Sequence, residues 1–328
     1  MHRNDPFGPA WLAVDAAAEV AEIGGKIRAY LTRVRRKGLV VAMSGGIDSS
    51  VVAALSVQAL GRRKVLGLLM PERESSGETL RLSRMMADAL GIETIVEDIS
   101  PVLEAVGCYR RRDEAIRLVH PGFGPGYKAK IVLPSVIDSD RYRIFSVVIL
   151  TPEGREVKAR LTPESYLGIV AATNFKQRVR KMLEYHHADR LNYAVAGTPN
   201  RLEYDQGFFV KLGDGAADVK PIAHLYKTQV YQLAAHLGLP AEIQTRPPTT
   251  DTYSMPQSQE EFYFSLPYGR MDLCLFGKNN GIQIAEVASA TGLTEEQVGR
   301  VYRDIDQKRA TTEYLHLPPQ LIAEVPEV

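Results

Sequence analysis

From Val14 to Arg36 the apolar residues Val20, Ile23, Ile27, Tyr30, Leu31 and Val34 recur with charged residues between them, a spacing that predicts an amphipathic helix. The pattern then changes. Gly38-Leu-Val-Val-Ala-Met43 is a short unbroken apolar run, as expected of a strand buried on both faces. It ends at Ser44-Gly-Gly-Ile-Asp-Ser-Ser50, and Val51 to Leu60 reads as helix. A second run, Lys64 to Met70, precedes a helix from Glu78 to Leu90, and a third, Ile92 to Val96, leads into a short helix near Pro101. Strand and helix in strict alternation predict βαβ units, hence a doubly wound parallel sheet with helices on both faces and an α/β fold class.

Between Gly107 and Leu161 the alternation stops. His120-Pro-Gly-Phe-Gly-Pro-Gly126 is a loop by composition, and Tyr142 to Leu150 and Val157 to Leu161 flank Thr151-Pro-Glu-Gly154 as the arms of a β-hairpin. A structureless connection of this length would be unusual, so 107–161 is expected to be an inserted hairpin or flap within a single domain spanning 1–328. Thr162 to Ala188 returns to helical spacing and Leu191 to Ala196 to a strand. A polar, glycine-rich stretch (197–215), a helix at Lys227 to Leu237, a Pro/Thr-rich loop at 245–259 and helices near 282–291 and 294–309 follow.

Composition narrows the function classes. The 328 residues carry 40 Lys+Arg against 39 Asp+Glu, a formal net charge of +1, so neither a nucleic acid nor an anionic membrane is an expected partner. The basic runs Arg33 to Lys37 and Tyr109 to Arg112 are too short for an RNA-binding stripe. Two cysteines, Cys108 and Cys274, cannot make a disulfide framework or a four-cysteine metal site, and both are expected to pack in apolar surroundings. The first residues lack a signal-peptide pattern and no apolar run is long enough to span a bilayer, so a cytoplasmic location is expected.

The chemistry begins at Ser44–Ser50. A strand-to-helix turn is where free backbone N–H groups and the helix dipole bind anions. Gly45 and Gly46 let the backbone approach a phosphate, Ser44, Ser49 and Ser50 offer hydroxyls, and Asp48 can hold magnesium. The Gly-Lys-Ser/Thr ending of a Walker loop and the third glycine of a dinucleotide fingerprint are both absent. The string resembles the loop of the ATP-pyrophosphatase families, which adenylate a carboxylate or carbonyl and release pyrophosphate.

Further along, Asn174-Phe-Lys-Gln-Arg-Val-Arg-Lys-Met182, Ala196-Gly-Thr-Pro-Asn-Arg-Leu-Glu203, Lys211-Leu-Gly-Asp-Gly215 and Pro221-Ile-Ala-His-Leu-Tyr-Lys227 resemble, in order and spacing, the ammonia-dependent NAD synthases. The resemblance implies ATP as substrate, Mg2+ held by Asp48 and Glu203, ATP contacts from Ser44, Gly45, Gly46, Ser49, Ser50, Thr198, Lys227 and Thr249, and contacts to the acid substrate, deamido-NAD, from Arg178 and Asp214. Asp48 and Lys227 are the expected catalytic pair, and the start of the helix at Lys227 is expected to face the ATP phosphates. The resemblance also implies a homodimer whose acid site is completed near the subunit interface. With 43 residues before the loop and no cysteine machinery, no glutaminase domain is expected, and ammonia would arrive free or from another protein.

The chain departs from that family in places. Val170 stands where a phenylalanine thought to stack on the pyridine ring is usual, Arg246-Pro-Pro-Thr-Thr-Asp-Thr252 replaces Lys-x-Pro-Ser/Thr-Ala-x-Leu, and Phe262-Tyr-Phe264 replaces a Leu-Gly. Those departures keep open an amide synthetase of the same fold acting on another carboxylic acid. Asp48, Glu203 and Lys227 argue against a catalytically silent relative, and the lack of paired cysteines against a tRNA-thiolating enzyme.

Overall fold

The computed structural model describes residues 5–133, 145–247, 253–255, 257, 263–264 and 266–326. Asp15 caps the first helix, α1 (Ala16–Val34), by accepting a hydrogen bond from the Ala18 N–H at 3.0 Å. The chain then alternates through β1 (Leu39–Ala42), α2 (Ile47–Leu60), β2 (Val65–Leu69), α3 (Gly77–Leu90), β3 (Glu93–Val96), α4 (Ser100–Ala105) and α5 (Cys108–Arg117). After β4 (Lys128–Val132), β5 (Ser146–Leu150) and β6 (Glu156–Arg160), the long helix α6 (Pro163–Leu191) leads back to a strand, β7 (Ala194–Ala196). Helices complete the chain: α7 (Arg201–Gln206), α8 (Lys227–His236), α9 (Ala241–Thr245), α10 (Tyr268–Asn279), α11 (Ile284–Thr291) and α12 (Glu295–His316).

The main sheet is parallel, in the order β3-β2-β1-β7, with Val40 of β1 in register with Leu66 on one side and Val195 on the other. Both faces are covered. Leu39 and Val41 pack with α1, α2, α3 and α8, whereas Val40, Leu66 and Leu68 pack with α4, α5 and α6. The three residues Leu39–Val41 are fully buried, and each such side chain contributes roughly 1.5–3 kcal/mol relative to exposure. The doubly wound α/β class read from the apolar runs is therefore the class found.

Sheet order also locates the binding crevice. The chain moves outward from β1 to β2 and β3, then returns to place β7 on the opposite side of β1. A reversal of this kind leaves a gap at the carboxyl ends of the two strands where ligands of doubly wound folds bind. Ser44–Gly46 leaves the end of β1 and Gly197–Thr198 the end of β7.

The stretch 107–161 holds more than a hairpin. β5 and β6 pair antiparallel around the Thr151–Gly154 turn, and β4 adds a third strand, with Ala129 opposite Ile149. Ahead of them α5 packs along α6, and a separate apolar cluster joins Ile131, Val147 and Ile149 of this sheet to Ile116, Ile169 and Tyr253. Lys128-Ala-Lys-Ile-Val alternates side by side, the signature of a half-buried strand, but the glycine-rich run before it obscures the signal. Another cluster ties α10, α11 and α12 to Phe7 and Leu12.

Candidate active site

A cavity of about 430 Å3 opens at the β1/β7 crevice and continues along α6. Its first wall is the turn after β1. Gly45 has φ +68°, and a Cβ there would come within 2.8 Å of the Thr79 carbonyl, so only glycine fits without moving α3. The Ser49 hydroxyl lies 3.1 Å from that of Ser44, accepts from the Ser44 N–H at 3.2 Å and donates to the Gly46 carbonyl at 3.1 Å. These bonds fix the curvature of the turn. Arg246 braces it from outside, donating to the Gly45 carbonyl and the Thr79 hydroxyl, both at 3.2 Å.

Asp48, in the first turn of α2, receives the Lys227 ammonium on Oδ2 and the Asn200 side-chain amide on Oδ1, the latter at 3.2 Å. Asn200 also caps α7, accepting from the N–H groups of Leu202 (3.0 Å) and Glu203 (3.2 Å), while Glu203 accepts from the Asn200 N–H at 3.1 Å. Glu203 is thus the third residue of a capping box and is buried, not a solvated loop carboxylate. Burial first, and the negative charge of Asp48 second, push its carboxyl from 4.5 to about 8. For Lys227 burial opposes the charge, but Asp48 and Glu203 outweigh it and hold the ammonium above its ordinary range. Asp48 and Glu203 are oxygen donors of the type that magnesium takes alongside phosphates, although both Asp48 oxygens here already accept, from Lys227 and Asn200. Among the described residues no group of three or more metal-ligating side chains gathers anywhere.

The expectation for the start of α8 needs correction. The backbone N–H groups of Lys227 and Thr228 are bound to the carboxylate of Asp272 on α10, at 3.2 and 2.7 Å. That end of the helix is therefore occupied from within the protein, and only the lysine side chain turns toward the crevice. Asp272 is fully buried, and burial raises its carboxyl to about 6.

Along α6 the cavity is lined by Tyr166, Val170, Thr173, Gln177, Arg180 and Glu184, one stripe at helical spacing. From Tyr166 to Glu184 the stripe runs about 27 Å at 1.5 Å per residue. Lys176, beside it, is buried between Glu72 (3.0 Å) and Glu74 (2.8 Å), with Arg112 on Glu74 at 2.7 Å and the Tyr109 hydroxyl on Glu72 at 2.7 Å. Lys181 is held by Glu184 at 2.6 Å. Burial raises the carboxyl of Glu184 against the pull of Lys181, and it raises that of Asp214 too, which accepts from the Val210 N–H at 2.8 Å.

Not every expected residue reaches the cavity. Ser44, Gly46, Asp48, Ser49, Thr198, Glu203, Asp214 and Lys227 line it. Gly45 shapes the turn without lining the cavity, and Ser50 is buried with its hydroxyl donated to the Gly46 carbonyl at 2.8 Å. Arg178 lies off the α6 stripe, exposed, donating to the Lys211 carbonyl at 3.3 Å. The cavity arginine of this segment is Arg180, two residues on. Thr249 lies outside the described residues. Sequence reasoning missed Arg180, Lys176, Asn200, Arg246 and Asp272. The Asn-x-x-Glu capping pattern and the α6 stripe were the available signals for Asn200 and Arg180, whereas Asp272 and Lys176 depend on long-range contacts. Both cysteines are buried, and burial raises their thiols to about 11 and about 12, consistent with packing and not with nucleophilic chemistry.

The chain matches the NAD synthase family over residues 19–120 and 144–314. It is 60% identical over 322 residues to an NH(3)-dependent NAD(+) synthetase of Rhizobium meliloti, covering 98% of this chain and 96% of that one. An enzyme of the same name from Mesorhizobium japonicum is 62% identical over 317 residues, covering 96% and 99%. Among solved structures, an NMN synthetase from Francisella tularensis (TM-score 0.64, 21% identity, 94% of this chain and all of that one) and an NH3-dependent NAD synthetase from Campylobacter jejuni (TM-score 0.61, 20% identity, the same coverage) share the fold. With its phosphate turn, its carboxylate pair and these relatives in agreement, the chain belongs to the NAD synthase family.

Proposed function

We propose that this protein makes NAD from deamido-NAD, ATP and ammonia, releasing AMP and pyrophosphate, as an ammonia-dependent ligase. The observation that carries this reading is the meeting of Asp48, Glu203 and Lys227 beside the Ser44–Gly46 turn, at the point where sheet order reverses. ATP phosphates lie against that turn. An oxygen of the nicotinate carboxylate attacks the α-phosphorus, the bond to pyrophosphate breaks, and Lys227 stabilises the charge that develops on the leaving group. Ammonia then attacks the acyl carbon of the adenylate, and AMP departs with the former carboxylate oxygen. Asp214 lines the same cavity and, in this reading, contacts the acid substrate.

Asp48 and Glu203 would hold Mg2+ between them, and the ion would supply charge neutralisation to the phosphates. In the same reading the protein is a cytoplasmic homodimer. The side of α6 turned away from the core exposes Leu167, Met182 and Arg178, which supports a partner subunit there and a role for Arg178 across the interface. No described helix is long and apolar enough to cross a membrane.

The test is a coupled assay of purified protein with ATP, magnesium, ammonium and deamido-NAD. NAD and AMP are expected in equal amounts. AMP that forms only with some other carboxylic acid would replace this reading with the same-fold amide synthetase.

A further inference from the structure

One end of the cavity is aromatic and lies beside the three-stranded sheet β4-β5-β6. Phe145, at the entry to β5, stacks on Tyr166 of α6 with ring centroids 4.3 Å apart and an interplanar angle of 17°. Tyr253 and Val170 complete this end, and Tyr253 is buried. The segment that carries Tyr253 is pinned to the inserted strand β4. Ser254 accepts from the Ala129 N–H at 2.9 Å, the Met255 N–H donates to the Ala129 carbonyl at 3.3 Å, and the Gln257 amide donates to the Ile131 carbonyl at 2.7 Å. Both Ala129 and Ile131 fall in 121–143, the stretch that the family pattern leaves unmatched.

We infer that strand β4, which lies in the stretch the family pattern leaves unmatched, is a specificity element: through Ser254 and Gln257 it fixes Tyr253, which with Phe145 and Tyr166 forms an aromatic wall for the pyridinium ring of the acid substrate. The inference rests on the proposed function and names residues for that substrate. The chemistry favours this occupant over adenine. The pyridinium of deamido-NAD is planar and cationic, and the faces of Tyr and Phe attract cations as well as flat rings. Val170 offers no ring, so the aromatic surface at this end comes from residues flanking it in space.

Steady-state kinetics on the full-length enzyme test the wall, with deamido-NAD and ATP varied in turn. Tyr253→Leu keeps apolar bulk but removes the ring, and is expected to raise the KM for deamido-NAD about tenfold while leaving that for ATP within about twofold. Tyr253→Phe retains the ring and is expected to restore most of the lost affinity. Gln257→Ala, which touches no substrate in this account, should move the KM for deamido-NAD in the same direction by a few-fold at unchanged KM for ATP. ATP binding by calorimetry on each variant shows that its fold survives. A KM for deamido-NAD that is unaltered in Tyr253→Leu, or both KM values rising together, would overturn the inference. Failure of the wild-type enzyme to make NAD from deamido-NAD would instead overturn the functional reading beneath it.

Discussion

The two ends of the cavity hold their charges in different ways. At the phosphate end, Ser44, Asn200 and Glu203 are fixed by backbone geometry within short sequence windows, a turn that only glycine fits and a capping box, and Asp48 alone is held from afar, by Lys227 and Asn200. Along α6, Lys176, Lys181, Glu72, Glu74 and Arg112 are fixed by one another, through buried ion pairs between segments far apart in the chain. In the first arrangement two carboxylates share one ammonium, that of Lys227. The second is already neutralised, and it makes a stiff wall for a substrate to lie on.

The largest expected effect breaks the phosphate end alone. Lys227→Met, which removes the cation proposed to stabilise the leaving group, and Asp48→Asn, which removes that cation's partner and a proposed magnesium ligand, should each lower turnover by about a thousandfold or more, while circular dichroism stays that of the wild type. Substantial residual activity would remove Asp48 or Lys227 from its role.

Lys176→Met probes the other end. It leaves Glu72 and Glu74 short of their common cation in a buried site, so urea unfolding should show a loss of about 3–5 kcal/mol. A change below about 1 kcal/mol would mean that the wall is not held by this network.

A smaller effect has an unusual sign, one that Glu203 shares with the buried carboxyls of Glu184 and Asp214. The Glu203 carboxyl is raised to about 8 in the folded protein, so folding favours its protonated form. Its ionisation therefore makes the ligand-free protein less stable as pH rises from about 4.5 toward 8. Glu203→Gln should reduce that slope and stabilise the ligand-free protein at pH 8 by on the order of 2 kcal/mol, while lowering activity about a hundredfold. Thermal melts across that pH range check the slope, and an unstabilised Glu203→Gln protein would contradict the electrostatic picture.

The same division explains what could be read from the chain. The four strands of the main sheet and the phosphate turn are local patterns, and they were legible as apolar runs and as Ser-Gly-Gly-Ile-Asp-Ser-Ser. Glu203 is legible in the chain as a candidate site carboxylate but not as a buried one, because α7 is only six residues long. Arg178 resembled the family pattern, yet helical phase puts Arg180 on the cavity and Arg178 outside. Asp272, forty-five residues beyond Lys227, and the β4 contacts to Ser254 and Gln257 are products of tertiary packing that no single window encodes. Balanced net charge also concealed how many cations meet at the site, since Lys176 and Lys181 are each matched by a carboxylate within hydrogen-bonding distance.

The central claim is that the carboxylate is activated by transfer of an adenylyl group. Deamido-NAD with heavy oxygen at both positions of its nicotinate carboxylate, followed by mass spectrometry of the nucleotide products, checks this step. One labelled oxygen is expected in every AMP, one in NAD and none in pyrophosphate. Label found in pyrophosphate or in water, with unlabelled AMP, would contradict it.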